Sequence, residues 1–476
     1  MITLPREFKP RRNAIIISLT AVVAITTYLL LPESFNELQR RMVAIFLVAA
    51  IFWGTEALPL FATSLLVIGF EILFLAEKGG LAKALPQVSF MPDIHLSYFA
   101  FINSFGSGII ILFMGGFLLS RALTKHGVDE IISVKLLKPI ATSPAKLLFG
   151  VLAITAFFSM WMSNTATAAM MLAILTPIIK ELPHNTNFRT ALILAVPFGA
   201  NIGGVGTPIG SPPNAIAFEA LEKAGTGFSI TFFEWMRMAV PLELIMLILS
   251  GCLLYYFYKP EYELKFSEAQ EPPELTGKGA ATLVILGIGI LLWLTGGQTG
   301  IAPAVVALMI AAALTAFGIL SKSDVDSIDW NILILMWGGL SLGTAISLSG
   351  LSDLIYQIEF DAVPGGLFGV SVIIVCIAVT LSTFMSNTAT ANLIIPISLS
   401  LSVGTDETRA TYAIIAALAC SFAMAMPVST PPNAIAFSTG RIKVKDLFLT
   451  GGIITTTSII AILFGYHFIF PGIMGW

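Results

Sequence analysis

Of 476 residues, 56% are hydrophobic and 11% charged, and the apolar residues fall in long runs for which a water-soluble core has no use. Twenty-five basic residues stand against 28 acidic ones, which leaves no basic surface for nucleic acid. Three cysteines far apart in apolar segments (Cys252, Cys376, Cys420) and four scattered histidines give neither a disulfide framework nor a ligand-spaced metal cluster. The chain reads as an all-α polytopic membrane protein.

In chain order, the run from Ala14 to Leu31 follows Arg6, Lys9, Arg11 and Arg12 in the manner of a signal sequence. No small-x-small cleavage site comes after it, so it is expected to stay as a first helix. Spans are expected at 42–56, 58–76 and 107–124. The stretch 145–182 does not fit as one straight helix, which would run roughly 57 Å at 1.5 Å per residue against a hydrocarbon core of about 30 Å. Folded back at Ser163-Asn164-Thr165 it fits, as a re-entrant hairpin of two half-helices. A span broken at Ser211-Pro212-Pro213 (188–220) and another at 238–258 follow, then a charged linker, 259–278. The remainder replays this order: spans at 279–296, 301–320 and 330–348, a hairpin at 366–402 centred on Ser386-Asn387-Thr388, a span broken at Thr430-Pro431-Pro432 (410–437), and a last span at 448–470.

The phrase Met-Ser-Asn-Thr-Ala-Thr-Ala occurs at 162–168 and again at 385–391, and Pro-Pro-Asn-Ala-Ile-Ala-Phe at 212–218 and 431–437. The offset is 223 residues at Gly115-Gly116 and Gly338-Gly339 and at Ser163 and Ser386, falling to 219 at the Pro-Pro pair, so one duplication accounts for all of them. Each copy has five crossings plus a hairpin, and an odd number of crossings inverts the second copy. The expected architecture is two inverted repeats after one extra N-terminal helix, about 11 spans and two hairpins. With the N-terminus inside, 17 of the 25 Lys and Arg fall on inner segments, as the positive-inside rule requires, and Trp476 is outside. Arg40-Arg41 on the outer side is the main exception.

Ser, Asn and Thr cap helix N-termini and Pro suits the first turn, so each phrase is suited to restarting a helix after a break. A helix N-terminus attracts an anion, and the bare carbonyls of the preceding half-helix attract a small hard cation. None of Lys, Arg, Asp, Glu or His occurs in 155–175, 199–218, 380–398 or 421–437, which disfavours proton coupling through a residue of these breaks. An anion there is left with N–H groups, the hydroxyls of Ser163, Thr165, Ser386 and Thr388, the amides of Asn164 and Asn387, and a co-bound cation. Sodium on neutral oxygens is the economical choice. Small polar residues also glue transmembrane helices together, and Pro-Pro is also an ordinary kink, but their paired recurrence in one order is hard to attribute to packing. The double glycines are read as close helix contacts. Glu56 is read as a helix-end cap; Glu71 and Glu243 in or beside spans are left without a role.

The paired Ser-Asn-Thr phrases with Ser-Pro-Pro-Asn and Thr-Pro-Pro-Asn resemble those of the divalent anion sodium symporter family, the sodium-coupled dicarboxylate, citrate and sulfate carriers. The resemblance implies a homodimer working as an elevator. Its scaffold would be 1–130 and 279–360, and its transport part 140–258 and 366–470. It also implies that substrate carboxylates meet Ser163, Asn164, Thr165, Ser386, Asn387 and Thr388, with Ser211, Pro212, Thr430 and Pro431 close by. One sodium ion would lie near Ser159, Asn164 and Gly210 and another near Ser382, Asn387 and Ser429.

The expected function is sodium-driven symport of a small divalent anion, a four-carbon dicarboxylate such as succinate, malate or fumarate. A sodium-independent exchanger and a passive channel are the alternatives. An intramembrane protease lacks a Ser-His pair or two aspartates near any break, so no enzyme is expected. Short loops and the lack of an Asn-x-Ser/Thr sequon point to a bacterial inner membrane.

Overall fold

The structure, a computed structural model, describes residues 10–78, 81, 96–140, 142–182, 186–223, 230–260, 274–356, 363–401 and 405–470. Most of the charged linker, the first nine residues with Arg6 and Lys9, and the tail carrying Trp476 lie outside the described residues.

The first part of the chain forms α1 (Pro10–Leu30), α2 (Glu37–Thr55), α3 (Leu60–Leu75), the short α4 (Phe99–Ile102), α5 (Gly108–Lys125) and α6 (Val128–Leu137). Next come α7 (Pro144–Ser159), α8 (Asn164–Glu181), α9 (Phe188–Gly203), α10 (Pro212–Lys223) and α11 (Phe232–Phe257). Beyond the linker are α12 (Gly277–Leu294), α13 (Gly296–Thr299), α14 (Pro303–Ala316), α15 (Lys322–Asp326), α16 (Trp330–Leu348) and α17 (Leu351–Tyr356). The chain then forms α18 (Gly366–Phe384), α19 (Asn387–Ser400), α20 (Asp406–Ser421), α21 (Pro431–Ser438) and α22 (Val444–Phe464). Among the described residues the only β pairing is an isolated bridge between Lys78 and Ser97.

Eight helical stretches are long and apolar enough to cross a membrane: α1, α2, α4–α5, α11, α12, α16, α18 and α22 with its terminal π-turn. Helices α3, α7, α9 and α14 are apolar but shorter. The spans expected at 58–76 and 301–320 are therefore short helices, and 188–220 and 410–437 are each two helices with a break between them. Helix α18, read above as one arm of a hairpin, is by itself long enough to cross, at 19 residues.

Local chemistry sets the boundaries. Asn36 and Gln39 form a capping box that starts α2 five residues before the expected span. This places Arg41 in the first turns of the helix, where it pairs with Glu37 at 2.9 Å and donates to the Phe74 carbonyl, also at 2.9 Å. Arg40 beside it donates to the Phe35 and Pro32 carbonyls at 3.1 Å, so both guanidinium groups are held at the start of the helix. Thr231 and Glu234 make the same device for α11, which begins at Phe232 rather than near 238. Glu56 is the C-cap of α2, in the left-handed region at φ +50°. Glu71 is fully buried and accepts a hydrogen bond from Ser341, joining α3 to α16. The double glycines do bring helices together: a methyl on Gly115 would lie 2.5 Å from the Ala307 carbonyl of α14, and one on Gly338 would strike Ser64 of α3.

Packing divides the helices into two groups. In one, α5 packs on α14 and α12, α16 on α3, and α2 on α1 and α3. In the other, α9 packs on α7, α8 and α11, and α20 on α18, α19 and α10. Residues 191–211 and 410–425 are buried without interruption, so the two broken elements are the centre of the second group. Such all-round apolar helices belong inside a protein rather than at its surface. Between the groups, α16 meets α19, where Asn392 Nδ2 donates to the Leu335 carbonyl at 3.0 Å and its side chain fills the notch left by Gly339.

Within the first group, Asp324 ties the α14–α16 connection to the end of α5, bonding Lys125 at 2.5 Å and Arg121 at 3.2 Å. The hydrogen bond from Lys125, helped by Ser321, holds this carboxyl well below the usual carboxylate range. A depressed folded-state value adds stability that is complete above the unfolded-state value, near pH 4, and fades as pH falls toward the folded one. Asp324→Asn should therefore lower the melting temperature in detergent by a few degrees at pH 7, and the gap from the parent protein should close as pH drops below about 4.

Candidate functional site

Helix α7 stops at Ser159, three residues turn, and Ser163 restarts the chain as the N-cap of α8, accepting from the Ala166 N–H at 3.2 Å. Ser386 caps α19 in the same way, accepting from Ala389 N–H at 3.1 Å. In both copies the Ser-Asn-Thr residues are half-buried, so their N–H groups and side chains remain approachable. Each tip packs against the Pro-Pro half-helix from the other part of the chain: α8 against α21, and α19 against α10.

Behind each tip lies a small knot of oxygens. Ser159 Oγ is 2.6 Å from Asn164 Oδ1 and 2.7 Å from the Ala200 carbonyl. Ser382 Oγ is 2.8 Å from Asn387 Oδ1 and 2.8 Å from the Cys420 carbonyl. A hydroxyl has one proton to donate, so each serine can serve only one of its two acceptors, and the Ala200 carbonyl also takes the Gly204 N–H at 3.0 Å. Converging neutral oxygens of this kind suit a small hard cation. Gly204 lies directly against Asn164, where a methyl would be 2.5 Å from Oδ1, and Gly210 in turn lies against the Gly204 carbonyl. Gly210 is thus brought to the first knot through Gly204. Ser429 reaches the second less directly, donating to the Thr383 carbonyl at 2.9 Å, one residue beyond Ser382.

Ser211 and Thr430 are buried and engaged across the centre. Asn201, near the end of α9, donates to Thr430 Oγ1 at 3.0 Å and Asn433 Oδ1 at 3.2 Å, while Ser421, at the end of α20, lies 3.2 Å from Ser211. Asn214 and Asn433 each spread an amide over the carbonyls of the preceding break: Gly204, Val205 and Thr207 for one, Met424 and Met426 for the other. These amides satisfy backbone groups that a broken helix leaves bare. Pro212 is half-buried and Pro431 exposed, each in the first turn of its helix.

A cavity of about 700 Å³ opens between α16 and the 103–106 turn on one side and α10 and α19 on the other, lined by Asn103, Ser107, Ala220, Gly339, Ser347 and Arg409. It stops short of the Ser-Asn-Thr residues. A second, of about 410 Å³, lies between α6 and α8 and includes Ala166, two residues past Asn164.

Sequence reasoning did not reach the Ala200 and Cys420 carbonyls, Gly204, or the Asn201 and Ser421 crossing. The signals available were faint: a lone asparagine in an apolar run, and a 220-residue spacing between Ala200 and Cys420 that matters only once Ser159 and Ser382 point at them.

Residues 11–473 match the family described as the sodium:sulfate symporter transmembrane region. An uncharacterized transporter of Haemophilus influenzae is 31% identical over 97% of this chain and 98% of its own. The sodium-dependent dicarboxylate transporter SdcS of Staphylococcus saprophyticus is 30% identical over 95% of this chain and 90% of its own. SdcS of Staphylococcus aureus is also 30% identical, over 91% and 86%. Among solved structures, the Alcanivorax borkumensis YdaH transporter aligns with 90% of this chain and 97% of its own at a TM-score of 0.50 and 12% identity, a likeness of fold alone. With a match running through nearly every described helix, the chain belongs to the divalent anion:sodium symporter family, whose members are transporters and not enzymes.

Proposed function

We propose that this protein couples entry of sodium to uptake of a small divalent anion, most directly a four-carbon dicarboxylate. The observation that carries the reading is the repeated oxygen knot behind each capped tip, Ser159–Asn164–Ala200 and Ser382–Asn387–Cys420. On this reading each knot holds a sodium ion. The half-exposed N-termini of α8 and α19, with Ser163, Thr165, Ser386 and Thr388, take one substrate carboxylate each. Asn164 and Asn387 serve both partners, which couples them: the bound cation supplies the positive charge that the site's own residues lack. Ser211 and Thr430, with Pro212 and Pro431 beside them, shape the floor of the site and lock the two broken helices to each other. The relatives named for sodium-dependent dicarboxylate transport support the choice of ions.

The two packing groups support an elevator. Helices α7–α11 and α18–α22 would form the moving transport part and the remaining helices the scaffold, in a homodimer. The reciprocal contacts of Asn201 with Thr430 and of Ser421 with Ser211 support two inverted repeats within about 11 spans. The distribution of Lys and Arg supports an inner-membrane orientation with the N-terminus inside and the C-terminus outside. If sodium charge exceeds substrate charge, each surplus charge draws about 2.3 kcal/mol from every 100 mV of potential.

Counterflow in proteoliposomes against a panel of succinate, citrate, tartrate and sulfate, with and without sodium, tests the substrate class. Succinate should exchange only when sodium is present. Exchange of citrate or sulfate but not succinate would overturn the four-carbon assignment.

A further inference from the structure

Glu243 lies on the buried face of α11, which packs against α7 and α9. Only 3% of the residue is exposed, and its Oε2 atom has no hydrogen-bond partner among the described residues. The carboxylate points at the break between α9 and α10: a methyl on Gly206 would strike Oε2, and the Met160 side chain closes over the same spot at 3.0 Å. Met160 follows Ser159 in the chain and Gly206 lies two residues after Gly204, so the acid meets the same break that borders the first oxygen knot without being one of the knot's atoms. Near it, Thr207 donates to the Met160 carbonyl at 2.5 Å and Trp235 of α11 to the Val205 carbonyl at 3.1 Å. The turn is therefore held on either side of the carboxylate by neutral bonds that leave Oε2 unmet.

The other half is built differently at this place. There α22 meets the α20–α21 break through Thr455, whose hydroxyl accepts from the Met424 N–H at 3.2 Å and donates to the Phe422 carbonyl at 3.0 Å. A satisfied neutral group thus serves one break, and an unsatisfied acid the other. Packing alone asks for no such difference.

We infer that Glu243 holds an additional monovalent cation, a sodium ion, against the α9–α10 break. The inference rests on the sodium-coupled reading above and extends it. Two sodium ions on neutral oxygens balance a dianion, which leaves the Glu243 charge uncompensated inside a body that has to cross the membrane. A buried carboxylate without a partner is strongly unfavourable and is neutralised either by a proton or by a cation; in the sodium-loaded protein one more sodium ion takes the proton's place. Ionisable residues inside a membrane protein face ion pathways or one another, and no basic residue reaches this one among the described residues.

The test is the coupling ratio, read from the reversal potential of succinate flux in proteoliposomes of the full-length protein under set sodium gradients. The parent protein should carry one more sodium ion per dianion than Glu243→Gln. Glu243→Asp, which keeps the charge, should retain the parent ratio with weaker apparent sodium affinity. The thermal stabilisation of purified protein by sodium chloride over choline chloride should shrink in Glu243→Gln, a readout that needs no transport. An unchanged ratio and an unchanged sodium-induced shift in Glu243→Gln would overturn the inference and fit a protonated, merely packed acid, leaving the sodium-coupled reading intact. A parent protein with no sodium coupling at all would instead overturn that reading, and this inference with it.

Discussion

Asn164→Ala and Asn387→Ala should each raise the sodium concentration for half-maximal uptake by about tenfold or more, and weaken apparent succinate affinity together with it. Each asparagine places Oδ1 within 2.6 to 2.8 Å of a serine hydroxyl that also faces a backbone carbonyl. Each also begins a half-helix and stays half-buried there. Removing the amide leaves Ser159 or Ser382 with the carbonyl alone and takes one oxygen from the proposed cation site; losses of this kind at buried polar sites run about 1–3 kcal/mol, or roughly 5- to 150-fold. Because the same side chain serves cation and carboxylate in the proposed site, the two affinities should fall as a pair. Sodium titrations of uptake at two succinate concentrations measure this. Parent-like sodium affinity in both variants would remove the site assignment.

Gly204→Ala should have an effect of similar size by a different route. The added methyl lands 2.5 Å from Asn164 Oδ1, closer than packed atoms tolerate, and the Asn164 amide also lies 2.7 Å away through Nδ2. The amide has to turn away from Ser159, undoing the first knot, at a cost of about 1–3 kcal/mol for overpacking. Sodium-dependent uptake should drop about tenfold or more. Gly452→Ala, on α22 where a methyl meets nothing within 4 Å, should leave uptake unchanged and serves as the control. Equal behaviour of the two variants would mean that Asn164 does not need its present position.

The residues that announce the breaks do so through strong local chemistry. Ser163 and Ser386 are caps because their hydroxyls accept from the third N–H onward, and Pro212 and Pro431 sit where a helix has no N–H to lose, so these positions were legible without coordinates. The starts of α2 and α11 were misjudged for the opposite reason: hydropathy marks where a helix becomes apolar, whereas Asn36–Gln39 and Thr231–Glu234 cap it while it is still polar. The site's remaining parts are carried by atoms that side-chain patterns do not encode. In the proposed site Ala200 and Cys420 take part through their carbonyls, and Gly204 by having no side chain. Glu243 is the instructive miss. Scanning the breaks for charge found none, because the acid arrives from a different helix some thirty residues later, and only packing of α11 on α9 brings it there.

Sodium is the driving ion of the proposed transport cycle, and sodium-gradient accumulation of succinate in proteoliposomes tests this most directly. With sodium outside and none within, succinate should rise inside above its external concentration, and the rise should vanish when choline or potassium replaces sodium. Uptake that is indifferent to that replacement, and that requires dicarboxylate already inside the vesicle, would mean the protein exchanges one anion for another and would contradict the account.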